Sequence, residues 1–394
     1  MAEKEELLIH YWQLPGDIFI TLKKEFHISF SNLIQKKLTS KYKNCFHQIL
    51  NCPKWHAQRL FTQFTRFTIK EIEILQDFSG ISKEEVENNI ETIGNHEDGT
   101  IIKNPKLPFN LKDLFYVASH LFFDGSFRFK EGNYFYSYES SLTEYHKQRL
   151  SNFGEVPINL IEKENQLYFS YTLGYIAAKV LDINNFKSKS CILSEKFKDL
   201  AKKNKTLADE IIKALIIDES DINEKVRIEL SNQKLIEDLH EIFRVYYNLA
   251  NISTRERKIE IEESGKIYNY LSTSWKFCFS TSSFKELYKS ISPIPISYKE
   301  ENLKTLVNIQ SRNWYKKKPE EMKKLIVESL IKKPKSVSEL SKELQITQST
   351  IRSHINGSTT YSESLISSGK VVKVGERILK KGGYAKENIF GAIN

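Results

Sequence analysis

The sequence predicts an α+β fold, in which a duplicated αββαββα core lies between two smaller units rich in helix. Three observations predict it. An apolar helical run ending in an acid occurs twice, as "VASHLFFDGSF" at 117–127 and as "IKALIIDESDI" at 212–222. The segments behind the two runs alternate between strand-like and helix-like periodicity in the same order, and self-similarity over that length marks a repeated unit. Beyond "SRNWYKKKPEE" the composition turns basic and helix-capping signals recur at short intervals.

The bulk numbers bound this reading. A chain of 394 residues with 40% hydrophobic and 12% aromatic content is globular and long enough for several domains. Its 59 Lys and Arg against 50 Asp and Glu leave a net charge of +9, which suits a polyanionic partner. The cysteines Cys45, Cys52, Cys191 and Cys278 are few and irregularly spaced, as in a reducing compartment. "MAEKEELLIHYWQLPGD" opens on acids and is no signal peptide, and no apolar run is long enough to span a bilayer. A soluble cytoplasmic protein is expected.

Residues 1–104 read as a helical, helix-turn-helix-like domain. "GDIFITLKKEF" and "FSNLIQKKLTSKYK" would be two helices joined at "HIS", with Lys36, Lys37, Lys41 and Lys43 as a basic edge. Thr68 with Glu71 and Ser82 with Glu85 are capping boxes that start two further helices. Cys45, His47, Cys52 and His56 are all zinc-ligand types, but their spacing is looser than the usual paired cysteines, and a buried helical face explains them as well.

Residues 105–204 form the first repeat and 205–300 the second. Behind Asp124 come "SFRFK", "NYFYSYES", a helix near "TEYHKQRL", then "VPINLIE" and "QLYFSYTL". Behind Glu219 come "INEKVRIELS", the helix "QKLIEDLHEIFRVYYNLA", then "RKIEIEE" and "KIYNYLSTS". Small residues at Ala118, Ser119 and Ala214 would let the two leading helices approach closely. Asp124 and Glu219 would then meet at the ends of those helices. Two adjacent carboxylates do not both ionise cheaply without a cation, and a hard divalent metal such as Mg²⁺ or Mn²⁺ prefers such oxygen ligands.

These residues carry a resemblance. "VASHLFFDGSF" resembles the motif of the LAGLIDADG homing endonucleases, and "IKALIIDESDI" is similar to a second copy of it. The lead-in "NPKLPFNLKDLFYVASH" resembles that of archaeal members. The resemblance implies a pseudo-twofold, monomeric array of two αββαββα halves, whose sheets form a saddle for the DNA major groove. It also implies metal binding and catalysis by the last acid of each motif, here Asp124 and Glu219. The chain departs from the pattern at His120, which replaces an apolar interface residue, at Phe122, which replaces the first acid, and at Ser220-Asp221, which replaces Gly-Ser. With Met1 first and Ile393 before Asn394, splicing residues are missing, and a free-standing protein is expected rather than an intein.

Strand alternation singles out base-contacting positions, since a two-stranded ribbon fits the major groove. Arg128 and Lys130 share one face of "FRFK", and Lys225 and Arg227 share one face of "EKVRIEL". Tyr134, Tyr136 and Tyr138 also share a face, and alternation alone leaves open whether it points to core or to DNA.

Residues 301–319 read as a linker and 320–394 as a winged helix domain. From Lys318 onward the chain has 14 Lys and Arg against 8 Asp and Glu. Ser336 and Glu339 form a capping box, and Thr347 caps the helix "QSTIRSHI" after a short turn, which is helix-turn-helix spacing. That helix would offer Gln348, Ser349, Arg352 and His354 to base edges. "KVVKVGERILKKGGYAKENIF" would be the wing, with Lys380 and Lys381 on phosphates.

The expected function is site-specific, Mg²⁺-dependent cleavage of double-stranded DNA. The alternatives are a non-cleaving, sequence-specific DNA-binding transcriptional regulator on the same scaffold, and an RNA-directed protein.

Overall fold

The computed structural model describes residues 7–38, 46–50, 52–62, 66–95, 100–128, 132–187, 189–263, 266–311, 319–357, 364–378 and 386–393. The fold is mixed α+β, with many helices and small antiparallel sheets.

The amino-terminal region contains strands where a helical, helix-turn-helix-like domain was expected. Strands β1 (Leu8–Ile9), β2 (Phe19–Leu22), β3 (Phe67–Thr68), β4 (Ile90–Gly94) and β5 (Ile101–Lys103) occur among helices α1 (Lys24–Lys37), α2 (Phe46–Ile49), α3 (Lys54–Thr62), α4 (Ile69–Ser79) and α5 (Lys83–Glu87). Four of these strands form a sheet in the order β3-β2-β4-β5. Phe19, Ile20 and Leu22 are buried in its middle, where β-branched and aromatic side chains pack well. "HIS" is no turn: α1 runs straight through it, with His27 buried. The turn expected at 27–29 is therefore not formed, and "GDIFITL" contributes a strand instead of a first helix. The Thr68–Glu71 capping box forms with both reciprocal hydrogen bonds, and Ser82 accepts from the Glu85 amide.

The core follows. After β6 (Phe109–Asn110) come α6 (Leu111–Phe122), β7 (Ser126–Arg128), β8 (Gly132–Tyr136), α7 (Ser140–Leu150), β9 (Ile158–Ile161), β10 (Gln166–Phe169) and α8 (Tyr171–Val180). Helix α9 (Glu195–Lys203) leads to α10 (Lys205–Asp218), β11 (Ser220–Ile222), β12 (Val226–Leu230), α11 (Gln233–Phe243), β13 (Ser253–Glu263), β14 (Lys266–Cys278) and α12 (Phe284–Ile291). The order helix, two strands, helix, two strands, helix thus occurs twice. The two sheets share one strand order, β7-β8-β10-β9 and β11-β12-β14-β13.

Helices α6 and α10 lie against each other at the centre. Asn110 caps α6 by accepting from the Lys112 amide, and Asn204 caps α10 by accepting from the Thr206 amide. From Leu114 to Phe122 every residue of α6 is buried, with Ala118, Ser119 and Ala214 among the residues packed away from solvent. A helix buried on all sides belongs to the middle of a large core.

The carboxy-terminal unit has its own apolar core, with Ile326, Leu340, Ile351 and Leu365 at its centre. Helix α13 (Ser297–Ser311) precedes it. The unit contains α14 (Pro319–Lys332), β15 (Lys335–Ser336), α15 (Val337–Leu344), α16 (Gln348–Asn356), β16 (Val371–Ile378) and β17 (Lys386–Ala392). Its strands form a small antiparallel sheet in the order β15-β17-β16. The Ser336–Glu339 capping box and the Thr347 cap both form. Between α15 and α16 the chain turns through Gln345 at φ 54° and buries Ile346.

Candidate nucleic-acid interface and acid seam

Asp124 leaves α6 through a bend that requires glycine. The Gly125 amide donates to the His120 carbonyl at 2.8 Å. A Cβ at Gly125 would lie 2.6 Å from that carbonyl oxygen and 2.9 Å from the Tyr134 carbonyl oxygen. Glu219 ends α10 without glycine. Its φ of −121° is open to any residue, and the Ser220 hydroxyl donates to the Ile216 carbonyl at 2.8 Å. The Ser220 departure therefore leaves the second exit intact.

Both acids are half-buried, and the Asp124 charge reaches Glu219. Burial, followed by the nearby Asp218 charge, pushes the Asp124 carboxyl up to about 6. Burial, then Asp124 and Asp218, push Glu219 up to about 7. Groups whose charged forms are this disfavoured gather at functional sites.

Two neighbours complete the seam, and motif spacing marks neither. Asp218 Oδ2 lies 2.8 Å from His120 Nδ1 and so bridges the two helices. Burial raises Asp218 well above the carboxylate range and lowers His120 to about 3, so it disfavours the charged form of each. His120, at a position where an apolar residue was expected, is thus the polar staple of the helix pair. Lys299, on α13 and 3% exposed, donates at 2.7 Å to the carbonyls of both Ile216 and Ile217. It satisfies carbonyls left open at the end of α10. Burial lowers its amine, and the carboxylates of Asp218, Asp124 and Glu219 oppose that shift.

Among the described residues, no group of three or more His, Cys, Asp and Glu is arranged to hold a metal ion. Two carboxylates fall below that count. Mg²⁺ is commonly held by one or two carboxylates together with substrate phosphates. Asp124 and Glu219 are oxygen donors whose charged forms burial disfavours, which is the donor chemistry such an ion takes.

The outward face of the second sheet is rich in arginine. Glu229 accepts from Arg257 at 2.9 Å and from the Ser274 hydroxyl at 2.7 Å, with Arg227 and Arg255 each at 3.9 Å. Burial alone would raise Glu229, but the Ser274 hydroxyl and the three arginines hold it below the usual range. Arg227 also pairs with Asp221. Arg255 and Arg257 alternate in "STRERK", so the period-two rule already used for Arg227 also finds them. Lys225 lies exposed in the turn before β12 rather than on the strand.

The first sheet differs. Asn133 and Phe135 point into the core, and Tyr134 and Tyr136 lie on the opposite face. The Tyr134 and Tyr168 rings are 5.3 Å apart. Tyr138 lies beyond the strand and is 45% exposed. Arg128 ends β7 opposite Gly132, and only its backbone is described. Lys130, Lys380, Lys381 and Cys45 fall outside the described residues.

On α16, Ser349 is exposed and Arg352 donates to Gln348 Oε1 at 2.8 Å. His354 is 1% exposed and faces the core of its own unit, so it is no base reader. Of the zinc-ligand types, His56 Nε2 is 2.9 Å from Glu71 Oε1, and Cys52 is a free thiol raised by burial.

Residues 321–356, which cover α14 to α16, match the helix-turn-helix family described as "Bacterial regulatory protein, arsR family". No curated protein matches the chain. A helix-turn-helix of this type points to DNA binding by the carboxy-terminal unit. Among the described residues, no helix is long and apolar enough to cross a membrane.

Proposed function

We propose that the protein is a sequence-specific, double-stranded-DNA-binding protein whose duplicated core is a LAGLIDADG-type saddle and that it cuts DNA as a metal-dependent endonuclease. What supports cleavage is that Asp124 and Glu219 stand at the ends of two packed helices, with both carboxyls raised by burial and by nearby acids. The two sheets lie along the duplex, and the second presents Arg227, Arg255 and Arg257 to it. Arg is the commonest reader of guanine edges in the major groove. The helix-turn-helix lengthens the site, with Gln348, Ser349 and Arg352 at base edges and basic residues on phosphates. The protein acts as a monomer, because one chain supplies both halves.

Asp124 and Glu219 would hold Mg²⁺ or Mn²⁺, one oxygen donor from each half. Such an ion, when bound, activates water and stabilises the leaving oxygen of a phosphodiester. Gly125 and the Ser220 turn aim the two carboxylates at one place. His120 and Asp218 hold the helix ends together beneath them. Lys299 offsets part of the negative charge, so the seam stays compact before DNA arrives.

A second reading is favoured by a specific observation: the match at 321–356 is to a family of regulators. On that reading the saddle and the helix-turn-helix bind a site without cutting it.

One experiment separates them. The protein is incubated with a randomised duplex library and Mg²⁺, and both new ends and retained intact DNA are sequenced. Discrete ends that disappear with Asp124→Asn, while retention persists, support the endonuclease. Enriched intact sites without ends establish the regulator and overturn cleavage.

A further inference from the structure

The reading edge of α16 is turned onto the protein itself. Arg352 Nη1 donates to Glu224 Oε1 at 2.9 Å, and Glu224 belongs to the turn between β11 and β12. The Nη2 group of the same guanidinium is taken by Gln348. Both long side chains expected at base edges are therefore engaged. A second, looser tie joins Lys342 of α15 to Glu301 of α13 at 3.9 Å. Between the units lies a cleft of about 1100 Å³. Gln348, Arg352 and Lys386 line it on one side, and Glu224, Lys225 and Lys276 line it on the other.

This arrangement is incompatible with groove reading. The major groove is about 12 Å wide and 8.5 Å deep, and a recognition helix must enter it with its reading edge free. An edge that faces a protein sheet across a narrow cleft does not meet that condition. Glu224 offers Arg352 what DNA offers it, an anionic oxygen for the guanidinium fork. The rest of the cleft lining carries Lys225, Arg227, Lys276, Lys342 and Lys386 against Asp221 and Glu387, an excess of basic groups. Nucleic-acid phosphates are thus attracted to the surface that Glu224 holds shut.

We propose that the Glu224–Arg352 bridge, seconded by Glu301–Lys342, is an autoinhibitory latch. The β11–β12 turn occupies the recognition edge of the helix-turn-helix, and duplex DNA engages that unit only after displacing it. The latch rests on the DNA-binding reading above. It adds that the carboxy-terminal unit rests in a closed position and swings open on DNA.

The bridge is partly exposed, with side-chain exposures of 53% for Arg352 and 28% for Glu224. Exposed ion pairs contribute about 0.2–1 kcal/mol, which corresponds to an affinity change of at most about fivefold.

The test uses the full chain and a random-sequence 40-base-pair duplex, with affinity read by fluorescence anisotropy at low salt. Glu224→Gln binds the duplex roughly twofold to fivefold tighter than the wild type, and Glu224→Lys tighter still. Glu301→Gln moves in the same direction by less. Glu237→Gln, on α11 and outside the cleft lining, controls for the loss of one negative charge and gives a smaller gain than Glu224→Gln. Unchanged melting temperatures exclude misfolding as the cause. Equal affinity for the wild type, Glu224→Gln and Glu237→Gln overturns the latch and leaves DNA binding intact. Failure of every variant and of the wild type to bind overturns the DNA-binding reading, and the latch with it.

Discussion

Asp124 and Glu219 illustrate how far single residues could be read in advance. Each was marked by an apolar run ending in an acid, and each sits at the exit of one of the two packed helices. The sequence did not mark Asp218, which follows the apolar run at a position where the motif has no acid, or Lys299, which comes from a helix outside both repeats. The seam therefore holds three carboxyls and an ammonium where motif spacing showed two carboxyls. A pH dependence follows. Burial and neighbouring acids push folded Asp124 up to about 6 and Glu219 up to about 7, against about 3.9 and 4.3 in an unfolded chain. Raised carboxyl values favour the folded state when the groups are protonated. Their contribution is thus complete below about pH 4 and is lost as pH rises through 6 and 7. Without divalent cations, the melting temperature falls over that window, and Asp124→Asn or Glu219→Gln flattens the fall. Thermal melts from pH 4 to 8 measure this, and an equally steep fall in both variants would refute the assignment. Gly125 supports a simpler prediction: a methyl there strikes two backbone carbonyls, so Gly125→Ala destabilises by about 1–3 kcal/mol in urea titrations.

At the level of elements, the paired helices α6 and α10 are held by packing and by one polar staple. His120 and Asp218 are both buried, at 2% and 7% side-chain exposure. Removing one partner strands the other without its hydrogen bond, which costs about 1–3 kcal/mol. His120→Leu is expected to lose that much stability, and His120→Leu with Asp218→Leu to recover most of it. A double variant as unstable as the sum of its single changes would show that the staple is not a unit. Elements were legible wherever periodicity was long and caps were explicit. The strands of both repeats, α7, α11, α15, α16 and the Thr68 and Ser336 capping boxes all appear where their sequence signals lie. The amino-terminal region misled because the apolar run "IFI" in "DIFITL" is short. A short apolar run fits a buried strand as well as a helix, and the partners β3 and β4, which decide between them, come from much later in the chain.

For the whole molecule, the proposed function has the paired sheets and the helix-turn-helix on one chain spread DNA affinity over many phosphates. Removing a side chain that binds a phosphate lowers the salt dependence of binding by about one unit. Removing one that reads a base edge costs about 1–3 kcal/mol and relaxes specificity. Lys225→Ala is expected to weaken binding uniformly across sequences with a shallower salt slope. Arg257→Ala is expected to discriminate less between sites. Titrations over a range of salt concentrations against selected and random duplexes test both, and a uniform loss for Arg257→Ala would remove it from the base-reading set.

Read from its letters, the chain already disclosed a mixed α+β fold, a repeated unit, two acids at matching points and a carboxy-terminal helix-turn-helix. Those features are written in local periodicity, capping residues and charge. Packing alone determined that His120 pairs with Asp218, that Lys299 closes the end of α10, that a sheet forms ahead of the core, and that Arg352 lies against Glu224. Each of these joins residues far apart along the chain. Local spacing carries no information about such pairings, because they depend on which buried surfaces meet when the helices and sheets assemble.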